Sequence, residues 1–205
     1  KQRRVPVSLD APVFTLTHAM GFKGVLGGEY NFNRTEASIW KRFWLPASWG
    51  KIDCSVKAGA EWNTVPFPLL ILPEANLSYI TQRETFCLIN NMEFLNDRFA
   101  SMSISYDMNG KLFNRIPLLK NLKWREMFRV RALWGTLTDK NNPFKSSNPD
   151  LFRFPTRDGK FTSFVMDPKV PYVEASVGIY NIFKLLHVEY VHRFTYRDNP
   201  GINKN

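Results

Sequence analysis

Long segments of this chain alternate apolar and polar residues with a period of two. That spacing puts each set on its own face of a β-strand, whereas a helix would scatter both. In segment 51–62, Ile52, Cys54, Val56, Ala58, Ala60 and Trp62 alternate with Asp53, Ser55, Lys57, Gly59 and Glu61. Segment 99–108 sets Ala100, Met102, Ile104, Tyr106 and Met108 against Ser101, Ser103, Ser105 and Asp107. In 128–134, Val130 and Ala132 oppose Arg129 and Arg131; farther on, Val173, Ala175, Val177 and Ile179 oppose Glu174, Ser176, Gly178 and Tyr180. A last segment opposes Leu186, Val188, Tyr190, Phe194 and Tyr196 to His187, Glu189, Arg193 and Thr195, with His192 a local exception on the apolar side. Segments 13–19, 28–44 and 84–95 read as strands with weaker alternation, and the parity of the second changes near 34–37, as a bulge would cause. The reading gives about eight strands and no helix.

Strand length narrows the class. Soluble strands usually run about five or six residues, whereas several here reach roughly ten, close to the 9–11 tilted residues that span a bilayer. The connections 96–98 and 181–184 are short enough for tight turns. Those at 63–83, 109–123 and 138–170 are long, and such loops are ordinary on the outer rim of a barrel. Alternation alone leaves two architectures open. In a soluble lipocalin-like barrel or sandwich the apolar face is the core; in a membrane barrel it meets lipid and the polar face lines the lumen. Aromatics gather at strand ends (Trp40, Phe43, Trp44 and Trp49, then Trp62 and Phe67), as interfacial girdles do. The apolar face also carries small residues that lipid tolerates better than a packed core does. The expectation is therefore an all-β, antiparallel transmembrane β-barrel. Its lipid-facing set is Ile52, Val56, Ala58, Ala60, Ala100, Met102, Ile104, Val130, Ala132 and Ala175.

Charge and cysteines argue against other classes. The net charge of +10 invites a nucleic-acid reading, but the cations are spread along the chain, densest at 1–4 and 120–131, and no nucleic-acid-binding motif accompanies them. No nucleic-acid partner is expected. The basic start is followed by no apolar stretch, so it is not a signal peptide, and the chain reads as an excerpt of a longer protein. The longest nearly apolar run, 65–73, is about half of what a membrane helix needs. Cys54 and Cys87 point to opposite faces in the strand reading, which disfavours a bridge.

Several motifs occur in order: Val65-Pro66-Phe67-Pro68-Leu69-Leu70, Pro73-Glu74-Ala75-Asn76-Leu77-Ser78-Tyr79, Met92-Glu93-Phe94-Leu95-Asn96-Asp97-Arg98-Phe99, Asn114-Arg115-Ile116-Pro117-Leu118-Leu119-Lys120, and the run from Pro171 to Ile182. Together they resemble the C-terminal part of a family of Bacteroidetes outer-membrane proteins. Members carry an N-terminal carboxypeptidase-regulatory-like β-sandwich before a barrel similar to the surface-antigen and BamA/TamA superfamily. The resemblance implies that residues 1–205 are a partial C-terminal barrel domain, about eight of roughly sixteen strands, without the N-terminal strands, the sandwich and the final strand. It implies the cell outer membrane as location and a surface-antigen-like role in outer-membrane protein transport or assembly. The alternatives are a structural or accessory subunit of a larger outer-membrane complex, a passive pore and, outside the membrane, a soluble lipid-binding barrel. The expected partners are outer-membrane lipid and other outer-membrane or periplasmic proteins. The superfamily's lumen-reaching loop carries an Arg-Gly-aromatic motif, and no Arg-Gly pair occurs in this chain; insertase activity is carried over to no residue.

Candidate sites are few. His187 and Glu189 share a face, as half of a metal or proton site or as a hydrated pair, while His187 and His192 have opposite parity. Lys57, Arg129 and Arg131 could line an anion-selective lumen or pair with Asp53, Glu61, Asp107 and Glu174 across strands. No phosphate loop, nucleophile elbow or triad is present. The expectation is a non-enzyme with no cofactor, metal or catalytic residue. With the missing last strand ending in the periplasm, connections 63–83 and 116–122 are expected there, and 138–170 and 198–205 outside.

Overall fold

The computed structural model describes residues 11–205 other than 79, 83, 144, 146–150, 155, 158, 200, 201 and 203–205. The basic 1–4 start, and all of the 201–205 end except Ile202, lie outside the described residues. The strands are β1 (Val13–Gly21), β2 (Phe32–Trp44), β3 (Lys51–Glu61), β4 (Arg98–Asp107), β5 (Arg125–Thr136), a small hairpin of β6 (Thr156–Arg157) and β7 (Lys160–Phe161), then β8 (Tyr172–Ile182) and β9 (Leu186–Arg193). All but the hairpin form one seven-stranded antiparallel meander in the order β1-β2-β3-β4-β5-β8-β9. β1 and β9 do not pair with each other, so the sheet is open. Helix is confined to α1 (Pro117–Leu122) and three 3-10 turns among the described residues, and none of it is long and apolar enough to cross a membrane.

Register aligns the alternating sets of successive strands into rows. One row runs Ile39, Val56, Met102, Ala132, Val173; the neighbouring row on the other face runs Trp40, Ser55, Ser103, Arg131, Glu174, Arg193. The apolar face is the open one: Leu16 is 75% exposed, Val130 44% and Val56 43%, and Phe14, Phe128, Trp134, Val177, Val188 and Tyr190 are exposed as well. Polar residues interrupt it: Lys41, His192 and, in the row of Ala60, His18, Thr35, Arg98 and Thr136. The Lys41 ammonium lies 5.3 Å from the Phe43 ring centroid and His192 meets Phe194 edge-on at 4.9 Å, so these two rest against aromatics, while His18 and Thr35 hydrogen-bond to each other at 2.9 Å.

The packed core lies on the polar face, at one end. There the connections 62–97 and 137–171 fold over the sheet. Phe86, Ile89, Phe94 and Met166 pack against Leu133 and Tyr172, and Val65, Leu70, Leu95 and Phe154 form a second cluster. Every other connection of a meander falls at the same end, so 22–31, 62–97 and 137–171 share one rim, and 45–50, 108–124 and 183–185 share the opposite one.

Three expectations are corrected. Segment 84–95 is not a strand. Phe86, Ile89, Phe94 and Leu95 are buried on both parities, Glu93 closes a turn on Asn90, and Met92 has φ 59°; isolated bridges from Ala75 to Phe86 and from Phe94 to Phe164 replace a ladder. Residues 96 and 97 are consequently a buried lead into β4, with the Asp97 amide donating to Thr136, rather than a tight turn. Removing that strand also moves 63–83 from the rim of 116–122 to the rim of 138–170. Second, β2 has no parity change: it pairs without a shift from Phe32 to Trp44. The alternation looked broken because the polar face takes Trp40 and Trp44, whose rings flank the Arg42 guanidinium at 5.3 and 5.6 Å. Third, the register shift in the sheet lies between β8 and β9, at Ile179/Ile182. It sits at the tight turn expected at 181–184, where Asn181, Phe183 and Lys184 all have positive φ.

Candidate functional site

The polar face of β5, β8 and β9 holds a chain of buried charges that grips the 62–97 connection. Arg131 and Glu174 are opposite each other in the ladder and pair at 2.9 Å, with side chains 2% and 1% exposed. The Glu174 carboxylate also accepts the backbone N–H groups of Cys87 and Leu88 at 2.9 and 3.1 Å and the Tyr172 hydroxyl at 2.9 Å. Arg131 donates to the Gln82 carbonyl at 3.3 Å and approaches the Cys87 sulfur at 3.2 Å. One strand over, Arg193 donates to the Leu88 carbonyl at 3.0 Å and grips Glu93 at 2.6 and 3.0 Å, while its guanidinium stacks 4.8 Å from the Tyr172 centroid. Burial pushes the Cys87 thiol above its usual range, against a smaller opposite pull from Arg131, so the sulfur packs as a neutral group rather than a nucleophile.

A second node ties the two long connections to each other. Asp97, fully buried, accepts the Thr138 backbone N–H at 3.1 Å, the Thr138 hydroxyl and the Asn141 amide at 2.9 Å. Asn141 in turn accepts the Val65 N–H at 2.8 Å. A carboxylate with several such donors is satisfied without water.

Toward β1 the polar face is uncovered, leaving a groove of about 1,030 Å³ lined by residues from Thr15 on β1 to His187 on β9. Several of its charges are paired, while Lys184 lines its end at the rim without an ion pair among the described residues. Arg42 meets Asp53 in a two-pronged contact at 2.6 and 3.0 Å, Lys57 lies 2.5 Å from Glu74 and 3.2 Å from Glu36, and Lys51 lies 3.9 Å from Asp107.

Of the two readings of Lys57, Arg129 and Arg131, the structure has pairing. Arg131 takes the expected Glu174, but Arg129 takes Glu189 at 3.2 Å and Lys57 takes Glu36 and Glu74. The expected partners Asp53, Asp107 and Glu61 lie beside Arg42, Lys51 and Arg34 instead. His187 is 3.7 Å from Glu189, whose carboxylate also takes the Ser176 hydroxyl. Among the described residues no three His, Cys, Asp or Glu side chains gather as metal ligands would. Cys54 and Cys87 are both free.

Ile52, Val56, Ala58, Ala60, Ala100, Met102, Ile104, Val130, Ala132 and Ala175 all fall in the rows of the apolar face, and none belongs to either core cluster. Val56, Ala58 and Val130 are exposed and most of the others intermediate. Ala132 is buried, a methyl in line with the larger Val130 and Trp134 side chains. Glu93 and Arg193 form a site contact that the sequence reading missed. Their pairing depends on a connection folding back over 100 residues, and local alternation carries no trace of it.

Compared with known families, residues 1–145 match the one described as "Family of unknown function (DUF5686) C-terminal domain". No curated protein and no solved structure matches the chain.

Proposed function

The chain belongs to the DUF5686 C-terminal-domain family, and on that premise we propose that it is the C-terminal part of an outer-membrane β-barrel of surface-antigen type. In this reading it works in outer-membrane protein transport or assembly. One observation carries the membrane assignment: the two faces are inverted relative to a soluble barrel. Rows of Ile, Val, Leu, Phe and Ala are open on the outside, while the core, the buried ion pairs and the groove are on the polar side. Water on that face would leave Phe14, Leu16, Val56, Phe128, Val130, Val177 and Val188 exposed together, the kind of apolar patch that marks an interaction or membrane surface; lipid removes the penalty. A soluble lipid-binding barrel needs the reverse arrangement.

Open edges on β1 and β9 carry unpaired backbone groups, each costing several kcal/mol in hydrocarbon. Strands from elsewhere in the same protein, or from a partner barrel, are therefore required to complete the wall. The occupied polar face supports an accessory or structural barrel as the second reading and weighs against a passive pore, because the 62–97 connection sits across the lumen side held by Glu174 and Arg193.

With the final strand ending in the periplasm, the rim of 22–31, 62–97 and 137–171 faces outside and the rim of 45–50, 108–124 and 183–185 faces the periplasm. Short turns inside and longer loops outside are the usual asymmetry of such barrels. Protease added to intact cells carrying the full-length protein is expected to cut within 137–171 and to reach 108–124 only after the outer membrane is permeabilised. Cleavage of 108–124 in intact cells, or release of the protein from membranes by urea, would overturn the assignment.

A further inference from the structure

Half of the chain's net charge of +10 falls on the three connections of one rim. The connections 45–50, 108–124 and 183–185 hold five cations (Lys111, Arg115, Lys120, Lys123 and Lys184) and no Asp or Glu. The sequences of the three connections at the opposite rim, 22–31, 62–97 and 137–171, hold eight cations against nine acids. Arg115, Lys120, Lys123 and Lys184 are exposed, and none of them is in an ion pair among the described residues.

The same rim is apolar between its charges. Leu118 is 83% exposed and Leu185 88%, and Ile116, Leu122, Phe183 and Leu186 are exposed too. The three connections form one surface: the Lys111 ammonium donates to the Ala47 carbonyl at 2.8 Å, and the Asn181 amide donates to the Lys123 carbonyl at 2.7 Å. Trp49 lies under Lys111 and Arg115 at 5.2 and 5.9 Å.

Exposed cations interleaved with exposed Leu, Ile, Phe and Trp are costly to leave in water and are satisfied at the boundary of an anionic bilayer. There the apolar side chains enter the acyl region and the ammonium and guanidinium groups meet phosphates. We propose that this rim is a docking surface for anionic phospholipid headgroups of the membrane leaflet it meets. The inference rests on the barrel reading. Charge complementarity selects the occupant, since a zwitterionic headgroup offers no net charge to five unopposed cations.

The test uses the full-length protein reconstituted into bilayers of phosphatidylcholine mixed with phosphatidylglycerol, followed by urea washing, mild extraction and native mass spectrometry of the retained lipid. Phosphatidylglycerol is expected to be enriched over phosphatidylcholine by about fivefold or more, the gain that a single basic residue near an anionic surface supplies. The combined change Arg115→Gln, Lys120→Gln, Lys123→Gln and Lys184→Gln is expected to abolish the enrichment. Arginine in place of the three lysines is expected to keep it, as is Lys140→Gln with Lys145→Gln at the other rim. Equal retention of both lipids by a urea-resistant, integrated protein overturns the proposal and leaves the barrel reading standing, with an acidic protein as the better occupant of the rim. Undiminished enrichment in the four-residue variant also overturns it. Loss of the protein in the urea wash overturns both.

Discussion

Val56→Arg is expected to cost about 2–4 kcal/mol of stability in a bilayer, the penalty for a cation on the lipid face near mid-membrane. Val56 sits in the central outer row between Ile39 and Met102 and is 43% exposed. If that exposure were to water, an arginine there would change stability by no more than about 0.5 kcal/mol. The matched control is Thr15→Arg, on the groove side of β1, where the side chain enters the polar groove and the same small effect is expected. Reversible urea unfolding of the full-length variants in lipid vesicles separates the two cases. Near-equal stabilities would argue that the outer rows do not meet lipid.

The second large effect belongs to Glu174. Its replacement by alanine removes both the carboxylate that neutralises the buried Arg131 guanidinium and the acceptor of the Cys87 and Leu88 N–H groups. Breaking a buried pair from one side is expected to cost about 3–5 kcal/mol. It also frees the connection from the wall, so maleimide labelling of Cys87, followed in a Cys54→Ala background, is expected to accelerate. The double change Arg131→Met with Glu174→Leu removes both charges and is expected to recover much of the stability without recovering slow labelling, because the two N–H groups still lack their acceptor. Recovery of both would mean that apolar packing through Phe86 and Ile89 holds the connection and the carboxylate does not.

Much of the sheet was legible because alternation is local. Segment 51–62 anticipates Lys51–Glu61 and 99–108 anticipates Arg98–Asp107 to within a residue, and their apolar sets share one face of the sheet, whereas Tyr196, read on the apolar side of the last strand, lies beyond its end at Arg193 and packs against Phe94 in the core. Where the reading failed, something nonlocal had entered. Segment 84–95 carries apolar residues at strand spacing, yet its partners are Glu174, Arg193 and Phe164 rather than a neighbouring ladder. The 28–44 segment misled through Trp40 and Trp44, aromatic residues on the polar face that stack on a guanidinium instead of meeting their apolar neighbours. The candidate site was half legible. Glu174 and Arg131 are opposed in neighbouring strands, but Glu93 reaches Arg193 only once the connection has folded inward. The basic rim was legible only in the density of cations at 120–131; that Lys111, Arg115 and Lys184 join Lys120 and Lys123 at the same end follows from strand direction, which charge along the chain does not carry.

Spin labels placed one at a time from Ala100 to Ser105 on β4, with Cys54 and Cys87 replaced, test the assignment of faces in the full-length protein in bilayers. Collision rates with oxygen, which concentrates in lipid, are expected to be high at 100, 102 and 104, and collision rates with a water-soluble nickel complex are expected to be high at 101, 103 and 105, with the period of two that a strand between lipid and lumen requires. The reverse phase, or oxygen and nickel profiles without alternation, would contradict a lipid-facing apolar side.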